Sequence, residues 1–190
     1  MGSGPAVLVT GAAGYVGRLC VAALAKRSEE LSALVALDWV DTEPTERLEG
    51  VVYEQGDICD PGLKDLFARH GIDTVVHLAS IVRAPKGAPD DLAYRVDVLG
   101  TKNVLEACEA VDAKRLIVTS SGAAYGYHPD NPEWLDEEDP LRGNDEFEYS
   151  KHKRIVENML AKWREERPEL KQVVFRPGTI VGPDVHSPVT

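Results

Sequence analysis

Apolar and polar positions along the chain alternate between two kinds of segment. Short apolar-centred runs recur at Ala6 to Val9, Leu34 to Leu37, Val51 to Tyr53, Thr74 to Leu78, Arg115 to Thr119 and Gln172 to Arg176. Each has the length of one strand, and most lack the polar alternation of a strand with a wet face. Between them lie segments with a helical period. Tyr15 to Ser28 places Val16, Leu19, Cys20, Ala23 and Leu24 on one face. A second helix is expected from about Pro61, with proline in its first turn, to His70. Asp90 to Ala110 is a longer pattern whose inner side is marked by Leu92, Val96, Leu99, Val104, Leu105 and Cys108, and a last helix is expected from about Glu146 to Arg167. Trp39 to Gly50 and the irregular Gly122 to Asp145 are loops.

Strands alternating with helices in units of roughly 30 residues imply right-handed parallel crossovers. The expected fold class is α/β, a doubly wound parallel sheet in strand order 3-2-1-4-5-6, as one domain over residues 1–190 with little or no separate substrate domain. In such a sheet a ligand sits beyond the carboxyl ends of the strands, at the switch point between strands one and four.

Composition narrows the partners. Of 190 residues, 43% are apolar, enough for a buried core. Twenty-one basic side chains against 32 acidic ones give a formal charge of −11, and no basic cluster stands out that could track a phosphate backbone, so no nucleic-acid partner is expected. Cys20, Cys59 and Cys108 share no metal-ligand spacing. They are expected as free thiols of a cytoplasmic protein, with no metal site. No run is long and apolar enough to cross a membrane. Met1 to Pro5 lacks the pattern of a signal peptide and is expected as a short lead-in without regular structure.

The segment at the centre of the pattern is Val7 to Gly17, V-L-V-T-G-A-A-G-Y-V-G, in which a strand meets three glycines and then a helix. Glycines there let backbone N–H groups at a helix N-terminus approach a pyrophosphate. Asp38 follows 21 positions after Gly17, at the end of the second strand. A carboxylate there can accept from both ribose hydroxyls of an adenosine and repels a 2′-phosphate, so NAD is expected rather than NADP. Further along, Tyr149 and Lys153 are four residues apart on a predicted helix and share one face. A lysine ammonium beside the phenol, together with a nicotinamide cation, would favour the phenolate and make Tyr149 a proton acceptor and donor. Val118-Thr-Ser-Ser-Gly122 ends the fifth strand and offers hydroxyls to the same crevice.

Together these segments resemble the extended short-chain dehydrogenase/reductase superfamily, in its NAD-dependent epimerase/dehydratase group. The resemblance runs from the glycine turn through G-D-I-C-D, V-V-H-L-A-S, G-T-K-N-V-L-E-A-C, V-T-S-S-G-A-A-Y-G and Y-S-K-H-K to F-R-P-G-T-I-V-G-P. It implies a Rossmann fold binding NAD, with Tyr149 as the catalytic acid/base, Lys153 as its partner and Ser121 as the catalytic hydroxyl, Ser120 being the neighbour with which it is confusable. The cofactor residues it implies are Gly11, Gly14, Tyr15, Val16, Gly17, Asp38, Asp57, Ile58, Leu78, Ala79, Ser80, Tyr149, Lys153, Pro177 and Thr179. His77 to Ser80 would line the cofactor and Arg176 to Thr179 would turn beside the nicotinamide.

Two departures stand out. Asp97 replaces a usual asparagine, and an ionised carboxylate lacks the amide's donor for a water relay. Family members also normally continue past the R-P-G turn into a small substrate-binding region, nearly all of which is absent here. The expected function is NAD-dependent oxidoreductase-type chemistry on a secondary alcohol or ketone, foremost epimerase/dehydratase chemistry on a nucleotide sugar. A dehydrogenase of a steroid-like or other apolar alcohol and a non-catalytic NAD-binding or redox-sensing module are the alternatives. A homodimer is expected by the resemblance, with Val96, Leu99, Val104, Ile155, Met159 and Trp163 serving either that contact or the sheet. Eight carboxylates between Asp130 and Glu146, against Arg142 alone, form either an acidic rim of the crevice or a solvated loop. His128 and Arg83 are lesser candidates for substrate contact, and Trp39, Trp134 and Trp163 are expected to pack.

Overall fold

A computed structural model describes residues 4–183 and 185, so most of the expected Met1 to Pro5 lead-in lies outside the described residues. The strands are β1 (Ala6–Thr10), β2 (Ala33–Asp38), β3 (Val52–Gln55), β4 (Thr74–His77), β5 (Arg115–Thr119) and β6 (Lys171–Phe175). They form one sheet of parallel pairs in the order β3-β2-β1-β4-β5-β6, as the alternation of segments required. Thr10 lies opposite both Leu37 and His77 in the ladder. The central strands therefore end level, and their carboxyl ends open one crevice on either side of β1.

The connecting helices are α1 (Tyr15–Ala25), α2 (Leu63–His70), α3 (Leu92–Tyr94), α4 (Thr101–Ala110) and α5 (Glu148–Glu166). Successive β1 residues point to opposite faces, and all five are buried, because helices cover both sides of the sheet. On one side Leu8, Val35, Val75 and Leu116 pack with Phe67, Val104, Leu105, Val156 and Leu160. On the other, Val7, Val9, Leu34 and Ala36 pack with Val21 of α1. Truncating a fully buried side chain of this kind, such as Phe67, costs about 3–5 kcal/mol. Helix α2 ends in a left-handed residue, Gly71 at φ 59°, which glycine adopts without a Cβ penalty.

Three expectations are corrected. The pattern from 90 to 110 is not one α-helix: between α3 and α4 the chain makes a π-helical turn, Arg95–Gly100. A π turn inserts an extra residue and shifts the register of everything extrapolated at 3.6 residues per turn. Leu99, expected on the inner side, is accordingly 45% exposed. Second, α1 stops at Ala25, and Ser28–Glu30 forms a separate 3-10 turn. Third, only Trp163 of the three tryptophans packs on the core; Trp134 is 83% exposed, and Trp39, one residue beyond β2, stands at the mouth of the crevice.

Of the apolar stripes considered for a subunit contact, Val104 is buried and Val96, Ile155, Met159 and Trp163 pack against the sheet's core. Cys20, Cys59 and Cys108 are free thiols. Burial pushes the Cys108 thiol up to about 12 and, with Asp57 adding to it, the Cys59 thiol up to about 11. Among the described residues no helix is long and apolar enough to cross a membrane, and no group of three metal-ligating side chains occurs.

Candidate active site

The crevice holds two cavities that meet at the glycine turn. One, of about 530 Å³, runs over the ends of β1, β2 and β3 and is lined by Asp38, Asp57, Ile58 and Ala79 among others. The second, of about 650 Å³, runs the opposite way to Ser121, Tyr149, Lys153, Pro177 and Thr179, and Tyr15, Val16 and Gly17 form its near wall. Gly11, Gly14, Leu78 and Ser80 line both. Every residue expected to bind the cofactor thus borders one or both cavities of this trough.

The turn itself tolerates no side chain at two of its glycines. Gly11 has φ 69°, and a Cβ there would lie 2.6 Å from the Ala79 nitrogen at the end of β4. A Cβ on Gly17 would run into the Gly11 carbonyl and the Ala12 backbone. The carboxylate of Asp38 closes the turn from the other side: Oδ2 accepts from Ala13 N–H at 2.9 Å and Oδ1 from Val40 N–H at 3.1 Å. Each oxygen retains a further lone pair for a ligand.

At the far end, two adjacent serines part company. Ser120 is buried and donates to Glu157 Oε1 at 2.5 Å. Ser121 instead accepts from Ala123 N–H at 3.1 Å, capping the 3-10 turn Gly122–Tyr125, which leaves its own O–H to donate into the second cavity. The geometry therefore separates the two hydroxyls that spacing left confusable. Ser150, beside Tyr149, donates to the Ala123 carbonyl at 2.6 Å and accepts from Asn144 N–H at 3.0 Å, pinning the start of α5 against that same turn.

Tyr149 and Lys153 share the inward face of α5 one turn apart, as their spacing requires. Their electrostatics differ from the expectation. Lys153 Nζ donates to the Thr119 carbonyl at 3.2 Å and lies over the Tyr149 ring, 5.4 Å from its centroid. Burial raises the Tyr149 pKa; the Ser121 hydroxyl opposes the rise, while Asp97 and Tyr127 add to it. Burial likewise lowers the Lys153 pKa, and the Asp97 and Glu157 carboxylates hold it up. The anticipated lysine-driven lowering of the phenol is not present, because the ammonium meets the ring and a carbonyl.

Two polar networks brace these groups. Glu157 takes both Arg176 Nε, at 2.9 Å to each oxygen, and Nη2 at 2.7 Å. Arg176 Nη1 donates to the Tyr125 hydroxyl at 2.6 Å, and that hydroxyl donates to the Asp136 carbonyl at 2.7 Å. The R-P-G segment is thereby tied to α5 and to the long loop. The second network fixes the end of β4. Thr101 Oγ1 donates to the Asp97 carbonyl at 2.6 Å, so it accepts from His77 Nε2 at 3.0 Å. His77 Nδ1 then accepts from Thr10 Oγ1 at 2.7 Å, and Thr10 accepts from the N–H groups of Leu78 and Ala79. Burial, reinforced by Lys153 and opposed by Asp97, pushes the His77 pKa down to about 4. His77 is a neutral structural imidazole, while Leu78 to Ser80 line the trough.

Sequence spacing alone did not single out Glu157, although Tyr149, Lys153 and Glu157 recur every four residues on one helix face. The carboxylates of the long loop are exposed, Asp139 excepted, and none lines the second cavity. Of the lesser candidates, His128 is bound to the Arg142 carbonyl at 2.7 Å, and Arg83 lines the first cavity.

Residues 7–189 match the model of the NAD dependent epimerase/dehydratase family. The chain belongs to that family. Its similarity to individual members is moderate. It is 32% identical over 182 residues to a UDP-glucose 4-epimerase of Halalkalibacterium halodurans, covering 94% of this chain and 52% of that protein. It is 35% identical over 178 residues to N-acetyl-alpha-D-glucosaminyl-diphospho-ditrans,octacis-undecaprenol 4-epimerase of Escherichia coli O157:H7, covering 93% and 49%. Among solved structures, a Thermus thermophilus UDP-glucose 4-epimerase in complex with NAD superposes with a TM-score of 0.75 at 30% identity, over 90% of this chain and 54% of that one. The chain spans about half the length of the curated relatives it matches.

Proposed function

We propose that this family member binds NAD along the trough and carries out epimerase/dehydratase-type chemistry at a secondary alcohol of a nucleotide sugar. The observation that carries the reading is that two cavities adjoin at Gly11 and Gly14, with Asp38 lining one and Ser121, Tyr149 and Lys153 the other. The residues fit the cofactor. Gly11 and Gly17 bring bare backbone to the floor where a diphosphate would lie. Asp38 offers its remaining lone pairs to an adenosine ribose, and Asp57 and Ile58 border the space for the adenine. Lys153, Pro177 and Thr179 border the nicotinamide half.

When bound, NAD supplies the hydride acceptor and donor. The chain's own residues handle the proton. Tyr149 takes the proton of the substrate hydroxyl as that carbon is oxidised and returns it on reduction. Ser121 donates its O–H to the same oxygen, where charge develops. Lys153 sets its amino group over the Tyr149 ring, and the Ser121 hydroxyl is the group that favours the phenolate against burial. A nucleotide-sugar substrate is supported by the names of the relatives and by a second cavity free of loop carboxylates, which removes the electrostatic objection to a diphosphate. The cytoplasm is the proposed compartment. The proposed assembly is a homodimer, with Tyr94 and Leu99 as the exposed apolar groups of the α3–α4 segment.

The test is interconversion of UDP-glucose and UDP-galactose in the presence of NAD, read by product chromatography, with dTDP-sugars alongside. Turnover is expected, falling about 100-fold or more in Tyr149→Phe. Turnover that survives Tyr149→Phe undiminished would overturn the assigned role.

A further inference from the structure

The Asp97 carboxylate and the His152 ring lie behind the site, outside both networks described so far. Asp97 is 2% exposed on the π turn, and His152, on α5 between Tyr149 and Lys153, is 5% exposed. Asp97 Oδ1 accepts from Ser80 Oγ and from Ile81 N–H, both at 2.9 Å. Its other oxygen, Oδ2, has no hydrogen-bond partner, and neither has His152 Nδ1, which faces it at 3.6 Å. Two orphaned buried atoms of opposite need are thus aimed at each other. A buried carboxylate oxygen requires a donor. Placing a hydrogen on His152 Nδ1 serves both atoms, and a closure of a few tenths of an ångström completes the bond. The edge of the Tyr94 ring, 5.6 Å between centroids, keeps the imidazole in this orientation.

We propose that His152 is a positioning residue: its Nδ1–H locks the Asp97 carboxylate as a peg that fastens the Ser80–Ile81 wall of the trough to the helix carrying Tyr149 and Lys153. Ser80 borders both cavities and Ile81 the first. Through Asp97 the wall that lines the cofactor space and the helix that presents the phenol and ammonium hold one spacing. An asparagine at position 97 would turn an N–H towards His152 and need an acceptor there, whereas the carboxylate oxygen needs a donor, so only aspartate calls for the Nδ1–H form. Asp97 and His152 therefore form one feature.

This inference rests on the NAD reading, and its test separates the two. Calorimetric titration with NAD is carried out on the wild-type chain, on His152→Leu and His152→Asn, and on His152→Leu in an Asp97→Asn background. His152→Leu is expected to weaken binding about tenfold, because the peg loses its donor. His152→Asn sets an amide N–H close to the place of Nδ1 and should restore affinity to within about twofold of wild type. In the Asp97→Asn background the leucine change should cost about threefold or less, since an unpaired neutral amide is less costly than an unpaired buried carboxylate oxygen. A merely structural histidine would lower the melting temperature without this pattern of rescue. Should His152→Leu not fold, His152→Gln replaces it: its longer amide cannot mimic Nδ1, so weak binding by glutamine beside normal binding by asparagine supports the proposal. Leucine or glutamine variants that bind NAD as wild type does, or an asparagine variant no better than they are, overturn it. A wild-type chain that binds no NAD would instead remove the functional reading, and this inference with it.

Discussion

His77 gives the chain an acid sensitivity whose size follows from its surroundings. The imidazole is buried at the end of β4, held neutral between Thr10 and Thr101, with its pKa pushed down to about 4 from an ordinary 6.5. An unfolded chain binds a proton at this position once the pH falls below 6.5, whereas the folded chain does so only near 4. The stabilisation is therefore complete above pH 6.5 and is lost progressively as the pH falls towards 4. At ~1.4 kcal/mol per pH unit the whole interval is worth ~3 kcal/mol, of which ~2.5 kcal/mol has gone by pH 4.5. Urea unfolding of wild type and His77→Gln between pH 7.5 and 4.5 isolates it. Glutamine keeps a donor towards Thr101 and does not titrate, and the carboxylates common to both proteins cancel. The wild-type advantage should shrink by ~2.5 kcal/mol across that range. A gap that stays constant, or an imidazole resonance of His77 that titrates near 6.5, would refute the reasoning.

Other perturbations have equally definite outcomes. Gly17→Ala forces a methyl group against the Gly11 carbonyl and Ala12, so a loss of about 1–3 kcal/mol in chemical unfolding and a loss of NAD affinity by calorimetry are expected together. Arg176→Met leaves Glu157, whose side chain is 5% exposed, without its ion-pair partner and should cost about 3 kcal/mol in urea unfolding. Replacing both members of that pair by apolar residues of similar volume should recover much of the loss, and an equal or greater loss in the double variant would contradict the assignment.

The fold was legible because its signals are local and redundant. Every strand but β3, which runs on from Val52 and Tyr53 into Glu54 and Gln55, is an apolar-centred run, and the glycine turn with Asp38 at its proper distance identified which strand is the first. The largest misplacement, in the segment from 90 to 110, has a physical source: periodicity assumes an unbroken helix. The π turn at Arg95–Gly100 breaks it and turns Leu99 outwards while carrying Asp97 inwards. Gly100 marks the spot, since a Cβ there would lie 2.5 Å from Ile58 Cδ1. The trough residues were legible through their motifs, and the structure gathers them along one crevice. The braces were not, because they join residues far apart in sequence. Glu157 and Arg176 meet from α5 and the end of β6, and Asp97 and His152 from the π turn and α5. The Tyr149 environment was also beyond reach of spacing, because i and i+4 places two side chains on one face without saying whether an ammonium meets a hydroxyl or a ring.

On the proposed reading one trough, floored by Gly11 and Gly17 and closed by Asp38, holds NAD with its reactive end at Tyr149. Parallel calorimetric titrations of the chain with NAD and with NADP test this directly. The Asp38 carboxylate should favour NAD by about tenfold or more, since a 2′-phosphate would meet its charge at the end of β2. Equal affinities, a preference for NADP, or no binding of either would contradict it.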